Sequence, residues 1–148
     1  METTNNTLKA IIAKLELMQE YLARLLPLLA PADTDIVNNS TVLSAIERNF
    51  QLIVDAAIDI NTAIISKSKA QPSDDYQGTF IIVAKCGAIP DELAYTIAPS
   101  VGLRNALVHV YEKLNPAKVV HDIKRNIGQY QEYMTHILKY IEKEGENQ

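Results

Sequence analysis

The 148-residue chain is predicted to be all-α, an antiparallel bundle of four or five helices. Over long segments, apolar residues recur three and four positions apart, which is the spacing of one face of an α-helix. Five glycines, six prolines and no tryptophan accompany these segments, and no segment alternates in the manner of a β-strand. We see no internal repeat and no composition change typical of a domain boundary. The sequence therefore predicts a single helical domain over residues 1–148.

The first half of the chain is predicted to contain two long helices. Residues 1–6 are polar and expected to fray. The first helix should cover residues 7–29, and Pro27 should kink its end or close it early. The second should begin near residues 33–35, with an acidic or hydroxyl residue as its cap, and continue to Ser66.

The second half should contain two or three helices. A loop at residues 66–75 precedes a short helix over residues 77–85, for which Gly87 is the stop signal. Pro90 should open the next helix, and Pro99 and Gly102 should distort it. Asn115 and Pro116 should start the last helix, whose tail at residues 144–148 is expected to fray.

Helix two is apolar on more than one side. Leu43, Ile46 and Phe50 begin a heptad-like seam, but Val54 and Ile58 lie off it. A helix that is apolar on several faces is usually buried on several faces. The pattern favours a subunit interface formed by helix two, and the alternative is an internal helix of a monomeric bundle.

Charge excludes a broad nucleic-acid-binding polycation, because the formal net charge is −4. Residues 1–99 carry seven basic against twelve acidic side chains, whereas residues 100–148 carry seven against six. A phosphate site confined to the second part would fit this distribution. The single cysteine excludes an intramolecular disulfide. We see no signal peptide and no run long enough to span a membrane, so we expect a cytoplasmic protein.

The candidate chemistry lies in Arg104, Asn105, His109 and Tyr111. Histidine can accept or donate a proton near neutral pH, and the planar guanidinium of arginine matches two phosphate oxygens. RNA supplies its own nucleophile in the 2′-hydroxyl, so one such base and one cation suit phosphodiester cleavage without metal. In this hypothesis His109 is the general acid/base, Arg104 stabilises the phosphorane, and Asn105 orients His109 or donates to phosphate. From the spacing alone, the alternative is a surface arginine near a packed histidine.

Helix geometry complicates this hypothesis. At about 100° per residue, Arg104 and His109 would lie about 140° apart around a straight helix. A one-residue bulge, a helix end inside the motif, or a site assembled from two chains would bring them together.

The order Arg104, four residues, His109, one residue, Tyr111 resembles the signature of the HEPN superfamily of ribonucleases, and within it the HepT toxins of HepT/MntA toxin–antitoxin pairs. The segments Val101-Gly102-Leu103-Arg104-Asn105, Ile46-Glu47-Arg48-Asn49-Phe50-Gln51 and Ala56-Ala57-Ile58-Asp59-Ile60 also look like that family. The resemblance thus covers nearly the whole chain. Val110 departs from it mildly, because many relatives look polar or acidic there.

The resemblance implies a metal-independent endoribonuclease toxin that needs no cofactor. It implies a homodimer, or a larger assembly, in which paired motifs face each other across a cleft. It also implies an MntA-type nucleotidyltransferase as antitoxin, which would neutralise the toxin by transferring AMP to Tyr111. Lys113 and Lys118 are candidate RNA-binding residues, and Glu47 and Asp59 are candidates to orient the motif. For each of these four, the alternative is an ordinary solvated side chain.

A second hypothesis, from another class, is a non-catalytic HEPN-like subunit that binds nucleotide or serves a nucleotidyltransferase as its substrate-binding partner. A third is a helical oligomer without chemistry. The chain lacks a glycine-rich phosphate loop and the Gly-Ser motif with paired aspartates of nucleotidyltransferases, so it is not predicted to be the transferase.

Overall fold

A computed structural model describes residues 2–109 and 114–146 of the chain, with residues 2–5 described in their backbone alone. The described residues form helices and contain no strand, which confirms the all-α prediction. In chain order the helices are α1 (Glu2–Leu28), α2 (Asp33–Val37), α3 (Ser40–Lys67), α4 (Tyr76–Lys85), α5 (Asp91–Ile97), α6 (Ser100–His109) and α7 (Pro116–Glu146).

The described part of the chain has seven helices in place of the predicted four or five, because two predicted helices are broken. The predicted second helix is divided at Asn38 and Asn39 into α2 and α3. The side chain of Asn39 accepts a hydrogen bond from the backbone N–H of Val42 at 3.2 Å, which gives α3 its own N-cap. The second break lies at Ala98 and Pro99, where a distortion was predicted.

The ends of the helices differ little from prediction elsewhere. Helix α1 begins at Glu2 and α7 continues to Glu146, so both include residues that were expected to fray. Asp75 caps α4 by accepting from the N–H of Gly78 at 2.7 Å. Gly87 has a φ of 84°, as expected of a glycine that stops a helix.

The direction of the helices follows from contacts along α3 and α7. The Tyr133 hydroxyl donates to Asn61 Oδ1 at 2.6 Å, and farther along both helices Lys67 pairs with Glu144. The residues in contact therefore increase in number in the same direction along the two helices, so α3 and α7 run parallel. Helix α6 lies beside both of them, because Ser100 contacts Tyr130 on α7 and Arg104 contacts Asp55 on α3. No helix in the described part of the chain combines the length and apolarity needed to cross a bilayer.

Helix α3 is central to the core. It packs most extensively against α1 and also contacts α4, α6 and α7. Four of the five residues off its main seam are buried within one chain, and Leu52 is half-buried; the buried four are Val54, Ala56, Ile58 and Ile65. The alternative of an internal helix therefore describes α3, and its second apolar face gives no evidence for a subunit interface. Dimerisation stays a prediction.

Candidate active site

Helix α6 carries the motif and is fixed at its first residue to an aromatic cluster. Phe50, Phe80, Tyr130 and Tyr133 form this cluster by edge contacts, with ring centroids 5.7–6.4 Å apart. Ser100 Oγ lies 2.6 Å from the buried Tyr130 hydroxyl and donates to the carbonyl of Ile97 at 2.6 Å. Val101 is also buried, and the residues from Leu103 to Val108 are half-buried.

Two side chains orient Arg104. Its Nε donates to Asp55 Oδ1 at 2.7 Å, and its Nη1 donates to Asn105 Oδ1 at 3.1 Å. The side chains of Arg104 and Asp55 are 19% and 33% exposed, so the pair lies at the edge of the core and partly in contact with solvent. A guanidinium has five N–H groups, and these two bonds occupy two of them. The remaining groups can donate to a phosphate.

Asp55 was missed by the sequence analysis. Glu47 and Asp59 were considered instead, each as a residue that orients the motif or as a solvated side chain. Asp59 pairs with Lys14 on α1 at 2.9 Å and does not orient the motif in this chain. Burial raises the pKa of the Glu47 carboxyl. The acidic residue that contacts the motif is one turn from Asp59 on α3.

The Asp55 carboxylate also acts on the buried aromatic cluster. Burial raises the pKa of the Tyr130 hydroxyl, the Ser100 hydrogen bond opposes that rise, and the negative charge of Asp55 adds to it. Asp55 is therefore close to both Tyr130 and Arg104. The carboxylate that contacts the motif arginine is thus carried by α3, which has buried residues along most of its length.

Asn105 was predicted to orient His109 or to donate to phosphate, and its contact in the structure is a different one. Its amide oxygen accepts from Arg104, so Asn105 is a second support for the guanidinium. Beside it lies a cavity of about 400 Å³ lined by Asp74, Asp75, Tyr76, Gln77 and Val101 as well as Asn105. The carboxylates in this cavity disfavour the approach of a phosphate from that side.

His109 is the last residue of α6 and is exposed. The helix is α-helical throughout from Ser100 to His109, so neither a bulge nor a break separates Arg104 from His109. The two side chains therefore leave α6 about 140° apart, on different faces of one chain. Gly102 and Ala106 precede His109 on its face of the helix, at spacings of four and three.

Three other sequence predictions concern residues near the motif. Tyr111 and Lys113 lie outside the described residues. Lys118 is on α7, where its exposed side chain pairs with Asp122 at 3.1 Å.

Within residues 2–109 and 114–146, no group of three or more histidine, cysteine or carboxylate side chains is placed to hold a metal ion. Cleavage without metal or other cofactor stays a prediction.

Comparison with known families gives one match over most of the chain. Residues 18–137 match the family model described as "Ribonuclease HepT-like". The chain is also 39% identical over 131 residues to the tRNA nuclease HepT of Aphanizomenon flos-aquae, covering 88% of this chain and 89% of that protein.

More distant relatives agree with this match. The chain is 27% identical over 94 residues to the mRNA nuclease HepT of Shewanella oneidensis, covering 64% of this chain and 71% of that protein. A similar fold occurs in a solved structure of a tri-AMPylated Shewanella oneidensis HEPN toxin in complex with an MNT antitoxin. That likeness has a TM-score of 0.79 at 23% identity and covers 88% of this chain and 97% of the toxin.

Proposed function

This chain belongs to the HepT-like ribonuclease family and is a ribonuclease of the HEPN type, and we propose that it is the RNA-cleaving toxin of a toxin–antitoxin pair. The observation that carries the proposal is the support of Arg104 by Asp55 and Asn105 on a helix that ends at His109. A guanidinium held in one orientation at the protein surface suits a phosphate that must be gripped in a defined geometry.

The reaction needs one proton acceptor, one proton donor and one cation. The 2′-hydroxyl oxygen of the RNA attacks the adjacent phosphorus, and the bond from phosphorus to the 5′-oxygen of the next nucleotide breaks. His109 takes the hydroxyl proton or supplies the proton that the leaving oxygen needs. Arg104 donates to the phosphorane oxygens, on which negative charge grows in the transition state.

The site is assembled from two copies of the chain. Arg104 and His109 leave one α6 on different faces, so a single copy does not aim both at one phosphate. In a homodimer that pairs the motif regions, Arg104 of one copy would face His109 of the second, and the symmetry would produce the same pair twice. Larger assemblies that retain this pairing would preserve the site.

An MntA-type nucleotidyltransferase would act as the antitoxin. The Shewanella structure, in which an AMPylated toxin binds an MNT antitoxin, supports this partner. The Tyr111 hydroxyl oxygen would form a bond to the α-phosphorus of ATP, pyrophosphate would leave, and the hydroxyl proton would be released. Because Tyr111 follows His109 by two residues, the added AMP would place an anion beside the site and compete with RNA for Arg104. We place this reaction in the cytoplasm.

A direct test incubates the purified full chain with RNA in the presence of a chelator. We expect cleavage by the parent protein, and we expect Arg104→Ala and His109→Ala each to slow it by about 100-fold or more. Arg24→Ala is a matched control, because it removes an exposed arginine from α1, and it should cleave like the parent. Circular dichroism should show the same helix content in all four proteins.

The contradicting outcomes separate the candidate functions. Cleavage at the parent rate by folded Arg104→Ala or His109→Ala protein would refute the assignment of that residue. Absence of cleavage by the parent, together with nucleotide or RNA binding, would favour the non-catalytic subunit. For the antitoxin, a mass increase of one or more AMP units should require ATP and the transferase, and it should be absent from Tyr111→Phe.

A further inference from the structure

A second cavity of about 630 Å³ lies between α5, α6 and α7. On α6 its wall includes Gly102, Leu103 and Ala106. Gly102 and Ala106 lie on the face of α6 that carries His109, and Arg104 lies on the opposite face, so the cavity borders the His109 side of the helix. We call this cavity the α6–α7 groove. Its volume is typical of small-molecule and cofactor sites.

The groove is lined by amide side chains as well as apolar ones. Asn115, Asn126 and Gln129 contribute from α7 and the turn before it. Asn126 is 6% exposed, and Gln129 Oε1 is buried with no hydrogen-bond partner in the part of the chain that the structure describes. Such an acceptor costs free energy unless a donor reaches it. A ligand that presents N–H groups would supply that donor.

Cations and an aromatic ring complete the walls of the groove. Lys118 and Arg125 lie on the same wall as the amides, two turns apart along α7. Asp122 lies between them and pairs with Lys118 at 3.1 Å, so Arg125 is the cation of this wall better placed to meet a phosphate. Tyr95 at the rim is 68% exposed, so its ring is accessible to a flat partner. Nucleobases stack on exposed aromatic rings and present N–H donors at their edges, and the phosphates beside them pair with lysine and arginine.

We propose that the α6–α7 groove binds a nucleotide of single-stranded RNA next to the cleaved bond, with its base against Tyr95 and its edge toward Gln129. This inference rests on the proposed function, because it places the base on the His109 side of the motif helix. A base that is paired in a duplex does not enter such a groove. Cleavage therefore requires an unpaired nucleotide at this position, which defines the substrate as single-stranded or looped RNA.

The test measures RNA binding apart from cleavage. Full-length His109→Ala protein, which is expected not to cut, is titrated with a short labelled single-stranded RNA of mixed sequence. Adding Tyr95→Ala or Gln129→Leu should weaken binding by about tenfold. Tyr76→Ala removes a similarly exposed tyrosine from α4 and should leave the affinity unchanged. Annealing the RNA into a duplex should remove the dependence on Tyr95.

An abasic scan identifies the nucleotide that occupies the groove. Removing the base at one position should weaken the binding of RNA to the His109→Ala protein. In the double variant that also contains Tyr95→Ala, removing the same base should not weaken the binding any further. No coupling between any base and Tyr95 or Gln129 would overturn the inference. Unchanged RNA binding together with an altered oligomeric state of Tyr95→Ala would also overturn it, because a second copy would then cover the groove.

The experiments distinguish an error in the groove proposal from an error in the proposed function. If the parent cleaves RNA and Arg104→Ala does not, but both groove variants bind and cleave like the parent, the groove proposal alone is wrong. If the parent does not cleave RNA but binds it through Tyr95, the groove inference holds for a non-catalytic subunit.

Discussion

Replacing Asp55 by asparagine should slow RNA cleavage without unfolding the protein. Asp55 Oδ1 accepts from Arg104 Nε at 2.7 Å, and asparagine retains an oxygen at that place but removes the charge. Hydrogen bonds to charged groups contribute about 1.5–3 kcal/mol, and the partial exposure of this pair reduces the value to about 1–2 kcal/mol. If that energy holds the guanidinium in its catalytic orientation, kcat should fall by about 5- to 30-fold.

The separate effects of Asp55→Asn on kcat and on KM distinguish a positioning role from a binding role. Removing a carboxylate beside the scissile phosphate also removes a repulsion, so KM should stay unchanged or fall. Asp59→Asn is the matched control, because Asp59 lies on α3 one turn away and pairs with Lys14 at 2.9 Å. Steady-state cleavage of a fluorogenic RNA measures both constants. An Asp55→Asn protein with the kcat of the parent, or an equal loss in Asp59→Asn, would refute the reasoning.

Two tyrosine-to-phenylalanine changes should destabilise the protein unequally in thermal or urea unfolding. Tyr133→Phe should cost about 1–3 kcal/mol, because Asn61 Oδ1, which is buried, loses the hydroxyl that donates to it at 2.6 Å. Tyr130→Phe should cost about 1 kcal/mol, because Ser100 still donates to the Ile97 carbonyl when the Tyr130 hydroxyl is removed. Equal losses, or a larger loss in Tyr130→Phe, would contradict this account of the buried hydrogen bonds.

Much of the fold could be predicted because the helix signals are local. Helix α4 was predicted over residues 77–85 and begins at Tyr76, and α7 begins at Pro116 as expected. The break between α2 and α3 was missed because the apolar pattern on α3 starts soon after it. Asn39 is a good capping residue, but its side chain caps only if the helix begins there.

The site was predictable in its residue types and less so in its contacts. Arg104 and Asn105 lie in the motif, so the pattern identified them, whereas Asp55 is 49 residues away in sequence. Asp55 and Asp59 lie four apart on one face of α3, and periodicity does not say which of them meets α6. Tertiary packing decided that question, as it did for the second apolar face of α3, which the chain buries itself.

The measurement that tests the central claim most directly mixes two inactive proteins. Arg104→Ala and His109→Ala are combined under conditions where subunits exchange, with exchange followed by differently tagged copies. Half of the dimers are then mixed, and each mixed dimer has one intact Arg104–His109 pair out of two, so cleavage should return to about one quarter of the parent activity. A mixture that exchanges subunits and stays inactive would contradict a site shared between two copies.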